Sequence, residues 1–236
     1  MSIKKHIPNA ITCCNLFSGC VACVMAFNGN YHLAMAFIVL GAVFDFFDGM
    51  VARMLHVSSP LGVQMDSLAD DITFGIAPAT IVYSFMRNKL LYPTYLEDVL
   101  CVLPYLAFLI AVFSACRLAK FNIDTRQTTT FIGLPTPANA LFWASLIVGG
   151  GEWINSLNYG WVLVLALIAL FSFFLVSEIP MFALKFKSFA WKYNKVRYFF
   201  LITVLPMLLL GYLAPVAIIS WYLFLSIILH IKGAKV

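Results

Sequence analysis

Residues 44–71 read FDFFDGMVARMLHVSSPLGVQMDSLADD, and this stretch decides the reading of the chain. It sets Asp45, Asp48, Asp66 and Asp70 inside apolar segments. A carboxylate near the middle of a bilayer costs roughly 2.5–3.5 kcal/mol, so four of them need metal ions, water or cationic partners. Asp45 and Asp48 are spaced i,i+3, and Asp66 and Asp70 i,i+4, so each pair lies on one face of its helix. Two such helices facing each other present four carboxylates to one pocket.

Working outward, 63% of the 236 residues are hydrophobic and 11% are charged. A soluble domain carries about 25% charged residues. The composition predicts an all-α fold, a polytopic transmembrane helix bundle. Spans of about 20 apolar residues fall at 11–28, 32–55, 66–86, 99–121, 137–151, 159–177, 197–213 and 215–231, with the last two joined tightly through Ala214 and Pro215. Met1–Ala10 carries Lys4 and Lys5 but no small-residue cleavage site follows, so the first helix is expected to stay in the membrane. There is no internal repeat, and nothing in the pattern calls for nucleic acid.

Basic residues orient the bundle. With the N-terminus inside, the cytoplasmic side receives Lys4, Lys5, Arg53, Arg117, Lys120, Arg126, Lys185, Lys187, Lys192, Lys195, Arg197, Lys232 and Lys235, and the outer side only Arg87 and Lys89. Both termini and the acidic site are therefore expected at the cytoplasm, in a bacterial or archaeal-type cytoplasmic membrane. The stretch Leu184–Arg197 mixes five cations with Phe186, Phe189, Trp191 and Tyr193. Such a segment suits the headgroup layer and attracts anionic lipid, or serves simply as a positive-inside loop.

Clustered carboxylates bind hard divalent cations such as Mg²⁺ or Mn²⁺. Two cations among four aspartates offset the repulsion, and a two-metal site stabilises in-line phosphoryl displacement. Gly49 shares a helix face with Asp45 and lets a phosphate approach the backbone. Ala52 continues that face, Arg53 beside it offers a planar fork for phosphate, and Gly62 precedes Asp66 and Asp70 on theirs. Asp71 points about 100° from Asp70 and is left outside the group. An ion or proton pathway could use the same residue types. Five of the ten acidic residues, however, lie between Asp45 and Asp71, whereas a pathway would distribute them across the bilayer.

The spacing Asp45-xx-Asp48-Gly49-xx-Ala52-Arg53, then Gly62-xxx-Asp66-xxx-Asp70 after eight residues, resembles the signature of the CDP-alcohol phosphotransferases. The resemblance implies transfer of a phosphatidyl or phosphoalcohol group from a CDP-linked donor with release of CMP. It would make Asp45, Asp48 and Asp66 ligands of one cation, and Asp45, Asp66 and Asp70 ligands of a second. Asp70 would also be the general base. Gly49, Arg53 and Ser59 would contact the donor, and Asn9-xx-Thr12-xx-Asn15 resembles the family's nucleotide-side contact, naming Thr12 and Asn15. A six-helix catalytic core over residues 1–180 follows, with 181–236 adding the basic segment and two helices. A homodimer is also implied.

Two further stretches resemble the phosphatidylserine synthase subgroup. One is Asp66-Ser67-Leu68-Ala69-Asp70 with Phe74-Gly75-Ile76-Ala77-Pro78-Ala79. The other is Arg117-Leu118-Ala119-Lys120-Phe121-Asn122 with Phe131–Ala138. Val176–Lys187 is a looser match, and Lys120 stands where arginine is more usual. The resemblance implies CDP-diacylglycerol and L-serine as substrates. Serine is a zwitterion, so its pocket needs a cation and oxygen acceptors; Arg117, Lys120 and Asn122 are placed there, against the alternative of positive-inside anchoring. Glycerol 3-phosphate or an inositol phosphate remains an alternative acceptor, and a cation or lipid transporter an alternative class. Gly133–Pro137 reads as a shaped loop opening span five. Cys20 and Cys23 form a CxxC in an apolar helix, read as small buried residues, and no role falls to the four histidines.

Overall fold

A computed structural model describes residues 6–93, 102–124, 131–182 and 191–232, which are helical except for short connections and one two-residue strand pair. Helices α1 (His6–Phe27) and α2 (Tyr31–Met54) form an antiparallel hairpin. Gly29 turns the chain at φ +74°, and the Asn30 side chain caps α2 by accepting from the Leu33 amide at 3.1 Å. The packed face of α1 is made of Thr12, Asn15, Ser18, Gly19, Ala22 and Ala26. Small residues at helical spacing let neighbouring helices approach closely.

The third crossing is one continuous helix in three parts: α3 (Pro60–Asp70), a π-helical turn (Asp71–Ile76) and α4 (Ala77–Asn88). Ser59 caps it by accepting from the Gly62 amide at 3.0 Å, with Pro60 in the first turn. It therefore begins six residues before the expected start of span three. Every residue from Ala77 to Met86 is buried, so α4 is enclosed by helices on all sides. The π turn carries Thr73 into the crevice between α1 and α2. A Cβ on Gly19 would lie 2.9 Å from the Thr73 Cα, and Thr73 Oγ1 donates to the Asn15 carbonyl at 3.1 Å.

A 3₁₀ turn (Leu103–Phe108) leads into α5 (Leu109–Ile123), followed by α6 (Thr136–Ser156) and α7 (Gly160–Val176). Between them β1 (Phe131–Ile132) pairs antiparallel with β2 (Pro180–Met181), Phe131 opposite Met181. Gly133 sits at φ +74°, where a Cβ would come 2.7 Å from the Leu175 carbonyl oxygen. Its amide donates to Ile179 O at 3.0 Å and that of Leu134 to Phe174 O at 2.9 Å. The stretch is thus a shaped loop opening α6, which runs five residues further than the expected span.

Helix α8 (Trp191–Met207) and a 3₁₀ turn (Leu208–Leu213) precede α9 (Ala214–Ile231). Trp221 Nε1 donates to Thr203 Oγ1 at 2.9 Å. On a straight helix those residues would stand about 27 Å apart, so α8 and α9 fold back on each other. The reversal comes at Gly211, φ +57°, three residues before the expected junction. Leu213 then seats on α6, where a Cβ on Gly149 would lie 2.9 Å from its Cγ.

The chain is a polytopic helical membrane protein. His6–Phe27, Tyr31–Met54, Leu103–Ile123 and Asn194–Ile231 are long and apolar enough to cross a membrane, the last being the hairpin just described. Lys4, Lys5, Arg126, Lys185, Lys187, Lys235, Cys101, Phe186 and Phe189 lie outside the described residues. The CxxC reading is corrected in part: Cys20 is exposed on α1 and Cys23 half-buried, both as free thiols.

Candidate active site

The four aspartates project from α2 and α3 at one end of the bundle, and α1 packs against both helices. One carboxylate oxygen from each of Asp45, Asp48 and Asp66 lies within 4.8 Å of the others. Asp70 completes the group through a hydrogen-bonding contact with Asp45. Asp45 is the shared member, touching both the three-residue cluster and Asp70. Among the described residues no lysine or arginine forms an ion pair with any of the four. An all-oxygen donor set with no cation against it fits a hard divalent ion.

Helix α1 braces this group. Thr12 Oγ1 donates to Asp48 Oδ2 at 2.6 Å and also lies 3.1 Å from the Pro8 carbonyl. Asn15 Nδ2 donates to Asp70 Oδ1 at 3.2 Å. Thr12 and Asn15 are both buried. Bonds of this kind fix the direction of a ligating carboxylate, and losing one costs about 10–100-fold in metal affinity. Thr12→Val is therefore expected to raise the Mn²⁺ concentration for half-maximal activity about tenfold. An unchanged metal titration would separate Thr12 from the cluster.

Beside the aspartates is a cavity of about 160 Å³ whose walls include Asn9, Thr12, Asp48, Gly49, Ser59 and Asp66. Gly49 leaves its wall open: within 4 Å of an added Cβ only Arg53 Nη1 would be met, at 3.6 Å. Arg53 is exposed and, with Ala52 and His56, lines an adjoining depression at the end of α2. Gly62 serves a different purpose, since a Cβ there would meet Asn9 Oδ1 at 3.0 Å and Ser59 Oγ at 3.1 Å. Its lack of a side chain lets α1 close over α3. Ser59 combines a place on the cavity wall with its capping bond.

The three residues expected around an acceptor go to different places. Arg117 is buried at 7% exposure, its guanidinium 5.2 Å from the Phe121 ring and within electrostatic reach of Asp70. Lys120 pairs with Glu178 at 3.0 Å on an exposed surface. Asn122 donates to Ser67 Oγ at 2.7 Å. Glu178 and Ser67 carry no signal in the sequence, because their partners lie 58 and 55 residues away.

Residues 5–166 match the family described as CDP-alcohol phosphatidyltransferase. A CDP-diacylglycerol–serine O-phosphatidyltransferase of Bacillus subtilis is 40% identical over 133 residues, which are 56% of this chain and 70% of that protein. One from Mycobacterium tuberculosis is 34% identical over 187 residues, 74% of this chain and 60% of its own. A relative of the same name from Methanocaldococcus jannaschii is 33% identical over 157 residues, 66% of each. The chain thus spans roughly two thirds of the length of these relatives. With the matched region holding all four aspartates and their bracing residues on α1, the chain belongs to the CDP-alcohol phosphatidyltransferase family.

Proposed function

We propose that the protein makes phosphatidylserine, transferring the phosphatidyl group of CDP-diacylglycerol to the hydroxyl of L-serine. The observation that carries the reading is the convergence of Asp45, Asp48 and Asp66 within 4.8 Å beside a cavity lined by Asn9, Thr12 and Gly49. The names of the relatives favour serine as the acceptor.

Asp45, Asp48 and Asp66 would hold one divalent ion, and Asp45, Asp66 and Asp70 a second, Mg²⁺ or Mn²⁺. Bound there, the ions supply charge neutralisation at the diphosphate. The rest of the chemistry belongs to the chain. A serine hydroxyl is a poor nucleophile at neutral pH, and Asp70, held by the Asn15 amide, takes its proton as attack proceeds. The new bond joins the serine oxygen to the phosphorus that bears diacylglycerol. The bond from that phosphorus to the bridging oxygen breaks, and CMP leaves with the electron pair. Thr12 keeps Asp48 aimed at the donor, Gly49 admits the diphosphate, and Arg53 approaches it from the rim.

The reaction opens to the cytoplasm on the charge pattern, in a bacterial or archaeal-type membrane, and the lipid tails enter between helices. Residues 1–180 act as the catalytic core, 181–236 add the basic segment and the final hairpin, and the working unit is a homodimer. Purified protein with CDP-diacylglycerol, Mn²⁺ and labelled serine is expected to release CMP only when serine is present. CMP release with glycerol 3-phosphate and none with serine would move the assignment to another acceptor.

A further inference from the structure

Resting on serine as the acceptor, we propose that Asp71 and Arg117 form its recognition pair, Asp71 taking the ammonium and Arg117 the carboxylate. The π turn makes this possible. Asp70 ends α3 facing Asp45 and Asn15, while Asp71 opens the π turn and faces elsewhere. A Cβ on Gly75 would lie 2.7 Å from Asp71 Oδ1 and 3.1 Å from Ser114 Cβ, so the Asp71 carboxylate reaches the interface with α5. Arg117 stands one helical turn beyond Ser114 on that helix.

Three polar groups around this interface are buried with no partner: Asp71 Oδ1, Ser114 Oγ and Arg117 Nε. Ser114 is fully buried, and Arg117 is more than nine-tenths buried. Buried polar atoms are nearly always satisfied, and an unpaired buried charge is the costlier case. Asp71 and Arg117 carry opposite charges on neighbouring helices yet form no ion pair. Two separated, opposite, unsatisfied charges match a small zwitterion with its ammonium and carboxylate on adjacent atoms. The third functional group of serine is the hydroxyl, and Asp70, the base, is the residue directly before Asp71 and within reach of the Arg117 charge. Lys120 and Asn122 are engaged with Glu178 and Ser67, which leaves Arg117 as the cation turned inward.

The test is acceptor kinetics in the full-length enzyme, with 3-hydroxypropionate (serine without its ammonium) as a competitive inhibitor. In the wild type, the analogue is expected to bind at least tenfold more weakly than serine. Asp71→Asn is expected to raise the serine KM at least tenfold. The CDP-diacylglycerol KM, the Mn²⁺ titration and the inhibition constant of 3-hydroxypropionate should stay within twofold. Asp71→Glu should recover part of the serine affinity. Equal binding of serine and the analogue by the wild type overturns the proposal without any variant being needed. So does an unchanged serine KM in Asp71→Asn, or a parallel loss of serine and analogue binding. If the wild type releases no CMP with serine, the acceptor assignment itself fails, a separate outcome.

Discussion

Asp70→Asn is expected to lower CMP release by about 10²–10⁴-fold, the span a positioned general base contributes. The substitution keeps the shape of the side chain and leaves an oxygen for the Asn15 amide that now donates to Oδ1 at 3.2 Å. Donor binding should persist, because the cavity that would receive the nucleotide is lined by Asn9, Thr12, Gly49 and Asp66 and does not include residue 70. The measurement is single-turnover CMP release alongside equilibrium binding of CDP-diacylglycerol. Near-normal turnover in the variant would remove Asp70 as the base. Loss of donor binding together with turnover would make it chiefly a structural ligand.

Removing divalent ions should have an equally large effect. Dialysis against a chelator is expected to abolish CMP release, and added Mg²⁺ or Mn²⁺ to restore it. Within the cluster, Asp45→Ala should be the most damaging single change. Asp45 alone contacts both the group formed with Asp48 and Asp66 and the separate carboxyl of Asp70. Its loss would strip a shared ligand from both cation positions, whereas Asp48→Ala removes a ligand from one. The order is read from metal titrations of the two variants. Turnover that survives chelation would exclude a metal-dependent transfer, and a milder defect in Asp45→Ala than in Asp48→Ala would refute the shared position.

The aspartate group was legible in the sequence because its information is local. Positions spaced by three and four on apolar helices settle which carboxylates share a face, and the structure brings those pairs together. Thr12 and Asn15 were legible by the same periodicity, one turn apart on α1. The start of the third helix was less so, because Gly62, Gln64 and Asp66 dilute the apolar run, even though Ser59–Pro60 is a good cap and first turn. The acceptor side was the least legible. Lys120 finds Glu178 and Asn122 finds Ser67 across more than fifty residues, and spacing along one helix says nothing about such partners. Asp71 illustrates the limit most clearly. Helical geometry correctly turned it away from Asp70, but only the packing of α5 shows what it turns towards.

The π turn at Asp71–Ile76 holds one residue more per turn than the α-helix around it. Substitutions can adjust its side chains, but none can change that count. Deleting any one residue between 71 and 76 would rewind the segment and swing everything beyond it by about 100°. Thr73 would leave the notch at Gly19, and α4 would present a different side to all its neighbours. Homologous chains that share this chemistry should therefore tolerate exchanges along the stretch while holding its length constant.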